Sequence, residues 1–136
     1  MPLDECNVLL VDDEVDFLET LTKRLKRRKV NTFEANNSQK AFQVLKQESI
    51  DVVVLDVRMP GMDGMQALRE IKKTYPLVEV IMLTGHANVE VAIEGMELGA
   101  FDYLMKPMDT DELLYKIQDA YKKKLLQEKR INSSGN

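Results

Sequence analysis

Apolar residues along this chain fall into two alternating patterns. Short runs rich in β-branched and aliphatic residues occur at Asn7-Val8-Leu9-Leu10-Val11, Val30-Asn31-Thr32-Phe33-Glu34, Asp51-Val52-Val53-Val54-Leu55, Val78-Glu79-Val80-Ile81-Met82-Leu83 and Phe101-Asp102-Tyr103-Leu104-Met105. The third is too short for a typical helix and unbroken by polar residues, which favours a strand buried on both faces. Between the runs, apolar positions return at helical spacing: Leu18, Leu21 and Leu25; Ala41, Val44 and Leu45; Met65, Leu68 and Ile71; Val89, Ala92, Ile93 and Met96; Leu113, Leu114, Ile117, Ala120 and Tyr121. Five strands alternating with five helices predict an α/β domain whose parallel sheet is joined by right-handed crossovers.

In open parallel sheets the ligand cleft lies beyond the carboxyl ends of the strands. The residues there are Asp12-Asp13 after the first strand, Asp56 closing the third, Thr84 after the fourth and Lys106 after the fifth. Singly, an acidic pair, a threonine or a Lys-Pro step is common in any soluble protein. Their shared register against the strands carries the signal.

Three carboxylates on one rim would repel one another and raise at least one pKa unless a cation neutralised them. Oxygen ligands without His or Cys suit magnesium or manganese rather than zinc, and magnesium usually keeps waters and bridges to phosphate. Lys106 would supply a further positive charge. The Thr84 hydroxyl could donate to a phosphoryl oxygen, and Gly85 would let the backbone N–H behind it come close. This set reads as a phosphoryl-transfer site with Asp56 as nucleophile and an aspartyl phosphate as product.

At these positions the chain resembles the receiver domains of two-component response regulators, over about residues 5 to 127. The matching stretches are Asp12-Asp13-Glu14, Leu55-Asp56-Val57-Arg58-Met59-Pro60-Gly61-Met62-Asp63-Gly64, Met82-Leu83-Thr84-Gly85 and Gly99-Ala100-Phe101-Asp102-Tyr103-Leu104-Met105-Lys106-Pro107. The resemblance implies a flavodoxin-like doubly wound sheet in the order 2-1-3-4-5. It further implies that Asp56 accepts a phosphoryl group from the phosphohistidine of a sensor histidine kinase, the domain catalysing only its own phosphorylation and dephosphorylation. Mg2+ would be held by Asp13, Asp56 and the backbone carbonyl of Arg58, with Asp12 helping through a water. Thr84 and Lys106 would hold phosphoryl oxygens. Tyr103 matches the aromatic switch that turns inward when the threonine hydroxyl moves onto the phosphoryl group. Arg58 and His86, two positions beyond Asp56 and Thr84, occupy sites that vary in the family and tune phosphoryl lifetime. The wording around Thr84-Gly85-His86-Ala87 looks most like receivers attached to enhancer-binding transcription activators or to short DNA-binding regulators.

With 136 residues the chain holds one domain and no second. The formal charge of −4 argues against direct nucleic-acid binding by this segment. Basic residues gather at Lys23, Arg24, Lys26, Arg27, Arg28 and Lys29, the end of the first helical pattern, where cations complement the helix dipole. A single cysteine, Cys6, excludes an internal disulfide, and no secretory signal or long apolar segment is present, so a cytoplasmic protein is expected. The fifth helix begins at Asp109, with Glu112 in capping-box spacing, and its pattern runs past Tyr121. Residues 128–136 turn polar and read as a linker start or disordered tail, from a longer regulator or a stand-alone receiver.

Plainer readings stand beside these. Asp12 and Asp13 could cap the first helix, with Glu14 in its first turn. Asp63 suits the turn before Gly64. His86, the lone histidine, has no partner for a metal cluster. The eight methionines are core filler, although Met59 and Met62 could face a partner. The Lys106–Pro107 bond could be cis.

Three functions compete. In a phosphorylation switch, the modified Asp56 shifts the surface of the fourth helix, fifth strand and fifth helix, which then pairs with another receiver or an output domain. An aspartate-nucleophile phosphatase would carry a general acid two residues after the nucleophile, where Arg58 cannot donate a proton. A flavin carrier would need a Ser/Thr/Gly-rich phosphate loop where Asp12-Asp13-Glu14 stands.

Overall fold

The computed structural model describes residues 3–57, 64–85 and 89–134. Strands and helices alternate along the chain: β1 (Asn7–Val11), α1 (Val15–Arg27), β2 (Asn31–Ala35), α2 (Ser38–Gln47), β3 (Val52–Asp56), α3 (Gly64–Thr74), β4 (Glu79–Thr84), α4 (Val89–Glu97), β5 (Asp102–Met105) and α5 (Thr110–Ser134). The five strands are all parallel and lie in the order β2-β1-β3-β4-β5. Every apolar run of the sequence has become a strand.

Side chains of a strand alternate between faces, and here both faces are packed. Val8, Leu10, Val52, Val54, Ile81 and Leu83 point to a core shared with Leu18, Leu21 and Leu25 of α1 and Leu113, Ile117 and Tyr121 of α5. Their neighbours Leu9, Val11, Val53, Leu55, Val80 and Met82 point the other way, onto Ala41 and Leu45 of α2 and Leu68 and Ile71 of α3. Covering on both sides is why β3 and β4 show no alternation of apolar and polar residues.

α4 departs from the pattern. Of its apolar stripe only Ala92 is buried, while Val89, Ile93 and Met96 are exposed. The periodicity correctly marked a helix; the apolar face points outward.

The helix ends follow their local chemistry. Asn37 Oδ1 accepts from the Lys40 N–H to cap α2, and Asp109 Oδ1 accepts from the Asp111 N–H at the start of α5. Gly99, at φ 104, supplies a conformation after α4 that side-chain-bearing residues avoid. The basic end of α1 is a solvated face, with Lys23 paired to Glu19 and Arg28 to Asp111. α5 runs on through residues 128–134, where a tail or linker start was expected from polarity alone. No Gly or Pro interrupts residues 110–134, and polar side chains do not themselves end a helix.

At the amino ends of the central strands lies a buried ionic layer. Asp51, just before β3, accepts the Asn7 N–H at 2.8 Å and meets the Lys124 ammonium at 2.7 Å. Glu79, opening β4, is 1% exposed and lies 3.5 Å from Lys72 and 3.3 Å from Lys123. The Lys72 ammonium also donates to the carbonyls of Pro76 and Val78, each at 2.9 Å, tying α3 to the turn before β4.

Candidate functional site

The carboxyl ends of β1, β3, β4 and β5 bring the expected side chains together. The backbone ladder fixes where each emerges. Asp56 is the last residue of β3 and pairs in register with Leu83, whose carbonyl accepts from the Val57 N–H at 3.2 Å. The Asp12 N–H donates to Ala35 of β2 at 3.1 Å, and the Lys106 N–H donates to the Thr84 carbonyl at 2.8 Å. Asp12, Asp56 and Thr84 are buried at the rim. The Lys106–Pro107 bond is cis.

One carboxylate oxygen from each of Asp12, Asp13 and Asp56 lies within 4.8 Å of the others. Against them stands the Lys106 ammonium, 2.7 Å from Asp12 Oδ2 and 3.7 Å from Asp56 Oδ2. Burial would pull the Lys106 pKa down, but its contact with Asp12, the charges of Asp12 and Asp56 and a contact with Glu14 outweigh that and hold it above the ordinary lysine value. Three carboxylates facing one ammonium leave the cluster negative. An all-oxygen donor set of this charge fits a hard divalent cation, whose charge would relieve the repulsion.

Asp12 and Asp13 are not the helix cap that their spacing also allowed. Glu14 occupies the cap position of α1 without a side-chain cap bond, while Asp12 Oδ1 accepts the Glu14 N–H at 2.9 Å. Among the described residues, a Cβ built on Gly85 would meet nothing within 4 Å. Gly64 matters for a reason the turn pattern does not give: a Cβ there would stand 2.3 Å from Val57 Cα, so α3 begins directly against the backbone that follows Asp56.

Tyr103 stands away from the cluster, 43% exposed on β5, where it lines a groove with Val89, Ala92, Ile93 and Met96 of α4. Arg58, Met59, Met62, Asp63 and His86 lie outside the described residues. Two contacts were not foreseen from sequence. Glu14 Oε1 approaches Lys106 Nζ at 3.2 Å, and the same ammonium sits 4.3 Å from the centroid of the Phe17 ring. Residues 14 and 17, at the cap and in the first turn of α1, carry no pattern that points to a lysine some ninety residues further along the chain.

Comparison with known proteins agrees with this geometry. The family model described as the response regulator receiver domain matches residues 8–118. The chain belongs to that family. This receiver is similar to the transcriptional regulatory protein ZraR of Escherichia coli strain K12, 36% identical over 120 residues, and to the regulatory protein AtoC of the same organism, 40% identical over 113 residues. Those alignments take in 88% and 83% of this chain but only 27% and 24% of the relatives, so the receiver spans about a quarter of their length. Its fold matches the crystal structure of a response regulator receiver domain protein from Clostridium thermocellum with a TM-score of 0.85 and 37% identity, over 90% of this chain and 98% of that one.

Proposed function

We propose that this receiver is a phosphorylation-driven switch whose acceptor is Asp56. The observation that carries the reading is the meeting of Asp12, Asp13 and Asp56 with Lys106 at the strand ends of a receiver fold. In the proposed reaction an Asp56 carboxylate oxygen attacks the phosphorus of a phosphohistidine on a sensor histidine kinase. The O–P bond forms as the P–N bond breaks, and the electron pair stays on the imidazole nitrogen. Lys106 and Thr84 bind the phosphoryl oxygens, holding charge that would otherwise build up beside Asp12 and Asp13. Asp13, Asp56 and the backbone carbonyl of Arg58, with Asp12 helping through a water, would hold Mg2+, which would supply charge neutralisation. The chain's own chemistry is limited to gaining and losing this group.

The output follows from the same residues. Occupation of Asp56 draws the Thr84 hydroxyl toward the phosphoryl group, and Tyr103 turns inward from its exposed position on β5. The surface of α4, β5 and α5 then changes its partner, a second receiver or an output domain. We assign residues 5–127 to the receiver and residues 128–136 to a linker start or tail. Among the described residues no helix is long and apolar enough to cross a membrane. We place the protein in the cytoplasm, with the kinase rather than nucleic acid as the direct partner of this segment.

Intact-mass spectrometry after incubation with acetyl phosphate and magnesium tests the acceptor. One phosphoryl adduct is expected on the wild type and none on Asp56→Asn. Equal modification of both proteins, or of neither, would remove Asp56 from this role.

A further inference from the structure

Lys106 is held by more than its acidic partners, and the neighbours can be ranked. Asp12, buried, is the strongest at 2.7 Å. Glu14 is 64% exposed in its side chain, and a pair with a carboxylate that open to water contributes little. The third neighbour is the face of Phe17, 4.3 Å from the ammonium. Phe17 is half-buried and packs against the core formed by β1, α1 and α5, so its ring is backed by other side chains whereas the Glu14 side chain is open to water. A cation over an aromatic face is attracted by the ring quadrupole.

We infer that Phe17 is a positioning residue for Lys106. This inference rests on the phosphoacceptor reading. In that reading Asp12 turns toward a cation at the acidic cluster, and Lys106 loses its strongest tether at the moment it is needed beside Asp56. The Phe17 ring makes no demand on a carboxylate and is unaffected by that exchange. It keeps the ammonium near its present place, 3.7 Å from Asp56 Oδ2, where an oxygen of a group bound to Asp56 falls within reach. The ring thus joins the start of α1 to the loop after β5.

The test compares Phe17→Leu, which keeps an apolar side chain but loses the ring, with Phe17→Tyr, which keeps the ring face. Adduct formation from acetyl phosphate at saturating magnesium is followed by intact mass, magnesium affinity by calorimetry, and the Lys106 side-chain protons by NMR. Phe17→Leu is expected to slow adduct formation about two- to fivefold, and Phe17→Tyr to restore the wild-type rate. Magnesium affinity should stay unchanged in both, because the ring is not a metal ligand. The upfield ring-current shift of the Lys106 protons should vanish in the leucine variant alone. A leucine variant as fast as the wild type overturns the inference. So does a tyrosine variant as slow as leucine, which would mean that packing, not the ring face, matters. A wild type that forms no adduct is instead a failure of the phosphoacceptor reading; the NMR comparison then decides whether the ring holds Lys106, and an unmoved signal in Phe17→Leu overturns that too.

Discussion

Cys6 shows how much one position can report about the folded state. It is fully buried beside β1, and burial together with the nearby Asp51 charge, partly opposed by Lys124, pushes its thiol from an ordinary 9.0 up to about 12. Only the thiolate reacts. Iodoacetamide is therefore expected to leave native protein unmodified at pH 8 and to alkylate it at once in denaturant, a difference read directly by mass. The same shift has a consequence for stability. The folded pKa lies above the unfolded one, so this contribution is fully present below pH 9 and is lost as pH rises toward 12. Cys6→Ala should lose stability less steeply than the wild type in urea titrations across that window, by up to about 1.4 kcal/mol per pH unit. Parallel slopes would show that the thiol is not the titrating group. At this scale the sequence was legible where chemistry depends on register: Asp12, Asp13, Asp56, Thr84 and Lys106 were placed by counting from strand ends. It was not legible where a residue matters for what stands across space. Gly64 read as turn chemistry, but its absent side chain is required by the Val57 backbone 2.3 Å away. Nothing in either residue's neighbours along the chain announces that approach.

Helices and strands were legible in number and kind because the inner strands β1, β3 and β4 are packed on both faces, which leaves unbroken apolar runs, while the edge strands β2 and β5 stay partly exposed and mix polar with apolar residues. Two elements carried more than the pattern showed. α4 read as a helix from the spacing of its apolar residues, and that spacing did not say that Val89, Ile93 and Met96 face outward. α5 read as a helix whose pattern runs past Tyr121, and its later half also closes the ionic layer at the far rim. Lys124 there meets Asp51 at 2.7 Å and also pairs with Glu128, and these contacts hold its pKa above the ordinary lysine value despite burial. Removing one partner of a buried pair leaves the other charge without compensation, at a cost of about 3–5 kcal/mol. Lys124→Met is expected to destabilise by about 3 kcal/mol, the lower end because Asp51 keeps the Asn7 N–H. In an Asp51→Asn background, which retains an acceptor for that N–H, the same change should cost less than about 1 kcal/mol. Urea denaturation of the four proteins forms the cycle; equal costs in both backgrounds would place the effect of Lys124 elsewhere. Gly64→Ala belongs to this scale too. Alanine normally favours a helix, but here overpacking against Val57 should dominate and destabilise by about 1–3 kcal/mol, and phosphorylation at Asp56 should slow with it.

Taken as a whole, the molecule separates its chemistry from its outlet. The acidic cluster lies at the strand ends, whereas, among the described residues, uncovered apolar side chains gather on α4 and β5: Val89 at 70% exposure, Ile93 at 52%, Met96 and Tyr103 at 43% each. Scattered surface apolar residues need no explanation, but four that line one groove are what the proposed partner surface would cover. The link between the two regions is short. Thr84 closes β4, and β5 pairs with β4 so that Thr84 lies opposite Met105 and Met82 opposite Tyr103. In the proposed switch, a change at Thr84 would have to cross only one strand pair to reach Tyr103, which suits a two-state element biased by charge at Asp56. If that coupling favours the associating form by about 1.4 kcal/mol, self-association tightens about tenfold. Sedimentation velocity with acetyl phosphate and magnesium is expected to show that shift in the wild type and none in Asp56→Asn. Ile93→Lys separates the two regions: it puts a charge in the groove without touching the acidic cluster, so its adduct should form at the wild-type rate while association is lost. An Ile93→Lys protein that associates as tightly as the wild type would move the partner surface off α4, and a wild type that is modified without any change in sedimentation would leave the groove to an output partner rather than to a second receiver.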